Sequence, residues 1–216
     1  AAGRLHEIHA GLEDWAVAMA FALVAALAAP GHGGPLVLVR ARARAALPLY
    51  PYGTGLAGLG IDPARLLIVE AADDMALLRA GLEAARCPGL AALLVESWGR
   101  LPAYDLTASR RLVLAAERSG VPVIMLRLEA SPQASAAHSR WLVQSLPSTP
   151  LPATPRVASA PGSPAVAAEL LRWRGGPAGS VRHLEWNDED GVFRERATSL
   201  SGAVVSLGGE RTRARA

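Results

Sequence analysis

Residues 91–127 read AALLVESWGRLPAYDLTASRRLVLAAERSGVPVIMLR, and the way this stretch divides decides the fold. Ala91–Val95 is an apolar run long enough for a buried strand and too short for a helix. Glu96, Ser97 and Trp98 put an acid, a hydroxyl and an indole where that strand should end. Arg100–Tyr104 carries a proline and reads as a loop. Asp105 can cap the helix that follows by accepting a free N–H of its first turn. Leu112, Ala115 and Ala116 give an apolar side, while Leu106, Arg110, Val113 and Glu117 share another at i, i+3/i+4 spacing. Gly120 fits the position just past a helix end, and Pro122 forbids continuation. Val121–Leu128 is a second apolar run. Strand, helix and strand within about forty residues make one βαβ crossover of a parallel sheet. Chemistry or binding gathers at the carboxyl ends of such strands. Here that edge offers Glu96, Ser97, Trp98 and Arg127.

Outward from this unit, the 216 residues are enough for one domain with a substantial core. All 22 basic side chains are arginine, so any role needing a lysine amine is excluded. The net charge of +3 and a pI near 9.7 permit nucleic-acid contact without demanding it. Cys87 stands alone, which excludes a disulfide framework and a cysteine metal cluster and fits a reducing cytoplasm. Trp15–Ala29 is unbroken apolar sequence, but it falls short of the ~20 residues of a membrane span. Glu13 and Asp14 precede it, not the basic flank of a signal peptide, so it reads as a buried helix.

Leu5–His9 alternates weakly and reads as a short strand. On a strand His6, Glu7 and His9 do not converge, which argues against a metal there. Pro30–Pro35 ends the Ala-rich helix. Leu36–Arg40 is a buried strand running into Arg40-Ala-Arg-Ala-Arg44, where a solvated edge is favoured over a phosphate clamp. Leu49–Gly60 reads as a flexible aromatic segment. Its Gly53–Gly58 matches G-x-G-x-x-G, but Gly60 and Pro63 follow at once, so no helix opens at the third glycine and no dinucleotide site is expected. Leu66–Glu70 is a third strand, followed by a helix capped by Asp73 and Asp74 that runs through Arg86 and breaks at Cys87-Pro88-Gly89. Glu129–Ala137 reads as loop and His138–Gln144 as strand. Residues 145–164, dense in Pro, Ser and Thr, form a flexible loop inside the domain. Val166–Arg174, Ser180–Trp186 and Val192–Thr198 are short strands, so 165–198 is an antiparallel extension. The expected organisation is one domain over 1–205 and a basic tail over 206–216 carrying Arg211, Arg213 and Arg215.

The order of these pieces resembles the RecA-like core, and more narrowly the ImuA family. The resemblance is carried by Leu5–Ile8, Leu49-Tyr50, Gly58–Pro63, Asp105–Leu112, Leu114–Glu117, Ser119–Pro122, Ser139–Trp141, Arg172–Gly176 and Leu184–Trp186. It implies an α/β fold: a RecA-like parallel sheet flanked by helices, with the antiparallel extension at its C-terminal side. A RecA-like ATPase needs G-x-x-x-x-G-K-[ST] between its first strand and helix, so that backbone N–H groups, a lysine and a hydroxyl hold phosphate and Mg²⁺. The corresponding place, His9–Val17, has one glycine, no lysine, no Ser or Thr, and two acids. Each such acid would repel a triphosphate by on the order of 1 kcal/mol at intermediate dielectric. Glu96 falls where a Walker-B acid would, and the strand that should end in a water-activating glutamate ends in Arg40. The expectation is a strand-end acid paired with an arginine, with no cofactor, no metal and no catalytic residue.

The resemblance implies a non-catalytic accessory role in damage-induced error-prone translesion synthesis. The implied partners are an inactive Y-family polymerase homologue and an error-prone replicative-type polymerase, with single-stranded DNA a further candidate and no membrane. The candidate binding residues are Arg110, Arg111, Arg172 and Arg174, together with Trp98 among the tryptophans. Arg110 and Arg111 lie a third of a turn apart, so one of them is expected to be partly buried or paired. Arg172 and Arg174 are expected on one strand face and Trp173 on the other. Two alternatives stand beside this reading: a SulA-like cell-division inhibitor binding a tubulin-like protein, and a divergent nucleotide-binding ATPase.

Overall fold

The computed structural model describes residues 3–28, 33–42, 50–151 and 160–196. Arg44, the middle of the proline-rich loop at 152–159, the 197–198 end of the last expected strand and the basic tail at 206–216 lie outside the described residues. In chain order the elements are β1 Leu5–Ala10, α1 Trp15–Leu27, β2 Leu36–Ala41, α2 Gly53–Gly58, β3 Leu66–Ala71, α3 Asp74–Ala85 and β4 Ala92–Trp98. Then come α4 Leu106–Ser119, β5 Val123–Leu128, β6 Ser139–Leu146, β7 Ala165–Trp173, β8 Val181–Asn187 and β9 Val192–Glu195. All nine strands form one sheet in the order β3-β2-β4-β5-β1-β6-β7-β8-β9.

The 91–127 stretch is the expected crossover. β4 and β5 pair in parallel from Leu93 opposite Val123 to Trp98 opposite Leu128, with α4 between them. β1, read as a marginal strand, lies between β5 and β6 and is parallel to both. Burial explains its weak pattern. Leu5, Glu7, Ile8, His9 and Ala10 are all buried, because a strand covered on both faces has no reason to alternate. From β6 onward the sheet turns antiparallel, and β6, β7, β8 and β9 form a meander.

The parity of the strands divides the core. Ile8, Leu38, Leu94 and Ile124 face α1, which lays Ala18, Ala22, Leu23 and Ala26 against them. Leu5, Val39, Val95, Val123 and Met125 face the other way, onto Leu77 of α3 and Leu112, Ala115 and Ala116 of α4. Two expectations are corrected. Gly53–Gly58 is a short helix, not a flexible segment, because Leu56 is buried in the α1-side core and fixes it. That helix ends near the third glycine, whereas a dinucleotide motif would have one opening there. Ser145 and Leu146 belong to β6, where they pair with Val166 and Ala165, so the proline-rich connection begins after them.

Candidate functional site

The parallel strands bring their carboxyl ends to one edge, and the first feature there is the turn from β1 to α1. Only Gly11–Asp14 separate the two elements. Asp14 N–H donates to the Gly11 carbonyl and Trp15 N–H to the Leu12 carbonyl, both at 3.2 Å. Leu12 N–H donates to Glu129 Oε1 at 2.6 Å. Asp14 Oδ1 accepts the Ser145 N–H at 2.7 Å and the Ser145 hydroxyl as well. A helix N-terminus ordinarily presents free N–H groups to an anion. Here the turn consumes the Asp14 and Trp15 N–H groups, and the carboxylate reaching in from the end of β5 takes the Leu12 N–H just ahead of the helix. Glu129 holds a φ of 52°, and it is the one non-glycine residue with positive φ among the described residues.

The second feature is an ion pair on the α1 side of the same edge. The pairing of β2 with β4 sets Arg40 opposite Glu96, and Arg40 Nη2 lies 3.1 Å from Glu96 Oε1. Both side chains are buried. Trp98, two residues on and so on the same face, donates its indole N–H to that oxygen at 2.7 Å. The Arg40 guanidinium lies 4.8 Å from the centroid of the Tyr50 ring. Burial raises the Glu96 pKa, against the Trp98 bond and the Arg40 charge, which lower it. Trp15 Nε1 also approaches the carboxylate without reaching hydrogen-bonding geometry. The acid at the end of β4 is therefore paired with the arginine at the end of the neighbouring strand. Among the described residues no group of three His, Cys, Asp or Glu side chains converges on a point where a metal could sit.

The opposite face carries a polar network that sequence reasoning missed. Glu7, buried in β1, accepts the Tyr104 hydroxyl at 2.7 Å and Arg140 Nε at 2.6 Å. Arg140 also binds the Gln133 carbonyl and Ser135 Oγ. Burial alone would raise the Glu7 pKa. The nearby His9 and Ser135 side chains, the Tyr104 bond and the Arg140 charge outweigh it and bring the group down to about 2. Beside it, Arg127 Nη1 reaches Ser97 Oγ at 3.1 Å and Nη2 reaches the Gly99 carbonyl at 3.4 Å. These bonds fasten the loops after β4 and β5 to the strand ends. The one signal was an acid between Leu5 and Ile8 in β1, opposite in parity to His6. Its partners are nearly a hundred residues away or more, and no local spacing betrays them.

The predicted binding residues do not form one patch. Arg110 and Arg111 are both exposed and neither has a carboxylate partner among the described residues, which corrects the expectation that one would be buried or paired. Arg111 lines a groove between α3 and α4 with Met75, Leu78, Arg79 and Leu82. Arg110 does not line it, as expected one residue away on a helix. Arg172 donates to the Ser135 carbonyl at 2.8 Å. Arg174 lies beyond the end of β7, where its N–H donates to the His138 carbonyl at 2.9 Å. That bond extends the pairing of β7 with β6 by one residue past Trp173. Trp98 is half-buried against the α1-side core and Trp141 packs with Phe21, while Trp186 is buried. Trp173 alone of the tryptophans is exposed, at 46%.

No protein-family model matches the chain. Protein ImuA of Caulobacter vibrioides, from strain NA1000 / CB15N and from strain ATCC 19089 / CIP 103742 / CB 15, is 37% identical over 191 residues in each case. The match spans 82% of this chain and 72% of the relative. Among solved structures, the RadB recombinase superposes with a TM-score of 0.56 at 15% identity, over 87% of this chain and 89% of that one. SulA from Pseudomonas aeruginosa is 22% identical over 57% of this chain and 97% of its own, with a TM-score of 0.43, too low to carry an argument. The likeness to RadB is one of fold, and it fixes the architecture as the expected RecA-like sheet with an antiparallel C-terminal extension.

Proposed function

The chain belongs to the ImuA family, and from that premise we propose that it is a non-catalytic accessory protein of damage-induced error-prone translesion synthesis. In this reading it docks an inactive Y-family polymerase homologue and, through it, an error-prone replicative-type polymerase. The observation that carries the non-catalytic part is the β1–α1 turn. The N–H groups of Asp14, Trp15 and Leu12 are spent there on the carbonyls of Gly11 and Leu12 and on the carboxylate of Glu129. A triphosphate would have to displace that carboxylate and face Asp14 with no lysine to meet it. The Arg40–Glu96 pair supports the same reading, since a metal at Glu96 would compete with a buried guanidinium at 3.1 Å. What remains for function is surface, and the carboxylate-free arginines Arg110 and Arg111 are the first places to look.

The test has two arms. Purified protein is incubated with ATP and Mg²⁺, with and without single-stranded DNA, and released phosphate is measured. No release above the protein-free rate is expected, and DNA-stimulated turnover would overturn the proposal. In parallel, an inactive Y-family polymerase homologue is used to capture wild type, Arg110→Ala, Arg111→Ala and the double variant. Capture of wild type and weaker capture of the double variant are expected. Because the two arginines lie on different shoulders of α4, the single variants should differ from one another.

A further inference from the structure

The edge of the sheet opposite the one described above, where β1 and β6 begin and β7 ends, gathers Arg4, His138, Trp173 and Arg174. We propose that Trp173, flanked by Arg4 and Arg174, is a stacking platform for unpaired nucleic-acid bases. The platform stands apart from the docking reading, which needs only a protein partner.

Three observations carry it. First, the indole is exposed yet held. Its N–H donates to His138 Nε2 at 3.2 Å, and the same nitrogen accepts Arg4 Nη1 at 2.7 Å. Both partners are obligate donors, so Nε2 carries no proton and the histidine acts as a fixed acceptor. The ring of His138 is in turn braced by His6, edge to face at 5.8 Å between centroids. Second, the chain folds back against the indole. A Cβ on Gly175 would lie 2.9 Å from Trp173 Cε2 and 3.0 Å from Nε1, so only glycine lets the backbone pass so close. A ring backed by main chain and tethered through its nitrogen loses little freedom when a base stacks on it. Third, the cations beside it are uncompensated. Arg42, Arg182 and Arg194 have carboxylate partners, whereas Arg4 and Arg174 have none among the described residues.

A protein anchor of this kind would sit in or beside an apolar pocket. Trp173 instead has a histidine, the Arg4 guanidinium and a glycine turn around it. An exposed π-face with the Arg4 guanidinium held at the same histidine, and Arg174 next in the chain, matches a base with its neighbouring phosphates. A duplex keeps the faces of its bases stacked on one another, so the fitting ligand is single-stranded.

The test is fluorescence anisotropy of a labelled oligothymidylate titrated with full-length protein at low and rising salt. Wild type should bind, and Trp173→Ala should weaken binding about tenfold, within the range for loss of one stacked base. Trp173→Phe, which keeps an aromatic ring on Gly175, should retain most of the affinity. Arg4→Ala/Arg174→Ala should flatten the logarithmic salt dependence by about 1.4, for two phosphates at about 0.7 each. All variants should still be captured by the polymerase homologue. The proposal is overturned if wild type fails to bind the oligonucleotide, or if Trp173→Ala melts and binds like wild type. It is also overturned if the Trp173 variants lose the protein partner while DNA binding stays intact. Lost protein capture by wild type with intact DNA binding would instead remove the docking reading and leave the platform standing.

Discussion

Arg40 and Glu96 sit on neighbouring strands with their side chains almost wholly out of solvent. Removing one partner of such a pair leaves the other charge buried and uncompensated. Arg40→Ala should therefore lower stability by about 3–5 kcal/mol. Arg40→Leu/Glu96→Leu should recover part of that loss, because both buried charges leave together while the Trp98 N–H loses its acceptor. Urea denaturation of the three proteins tests this, and equal losses in single and double variants would refute it. His6 and Glu7 make a second residue-scale prediction. Burial, reinforced by the charges of His138 and Arg4, brings the His6 pKa from 6.5 down to about 4. The unfolded chain therefore takes up that proton first as pH falls. Stability should decline from about pH 6.5 to about pH 4, by on the order of 2–3 kcal/mol. Glu7, lowered from 4.5 to about 2, contributes stability that is present above pH 4.5 and lost as pH falls toward 2. His6→Gln should flatten the upper segment of the stability curve and leave the lower one in place.

At the scale of elements, α4 shows how far local chemistry reaches. Asp105 accepts the Ala108 N–H at 2.7 Å, and Gly120 closes the helix at a φ of 79°, both where sequence placed them. Asp105→Ala should cost about 1 kcal/mol. Gly120→Ala should cost about 1–2 kcal/mol, because a Cβ is strained at that φ. Thermal melts of the two variants check both figures. α2 is the opposite case. A six-residue helix with three glycines has no intrinsic stability, and it forms because Leu56 reaches the core. Sequence reading saw only its glycines. The same divide runs through the arginines of α4 and β7. Helical spacing separates Arg110 from Arg111, and the groove confirms that separation. At β7 the strand ends at Trp173, one residue before Arg174.

For the whole molecule, the order of nine strands decides which residues can cooperate. β1 is central, so the turn after it, the ends of β4 and β5 and the loop through Ser135 all meet at one edge. That edge is where a RecA-like fold would hold nucleotide, and this chain fills it with its own carboxylates and guanidiniums. ATP with Mg²⁺ should therefore leave the melting temperature unchanged, whereas a ligand present at a hundred times its Kd would add about 2.7 kcal/mol. A concentration-dependent rise would contradict the proposed loss of the site. Among the described residues no helix is long and apolar enough to cross a membrane, in keeping with α1 as a core element.

The sequence by itself determined the elements whose signals are local: the βαβ unit at 91–127, the cap and stop of α4, the unbroken apolar α1, and the absence of lysine from the whole chain. These depend on periodicity and on residue chemistry within a few positions, which survive without knowledge of what packs where. Only the tertiary structure decided that Glu7 meets Arg140, that Glu129 closes the β1–α1 turn, and that Trp173 shares a histidine with Arg4. Those contacts join positions more than a hundred residues apart, except for the 35 between Trp173 and His138. They follow from strand order and register, which are set by the packing of the sheet as a whole.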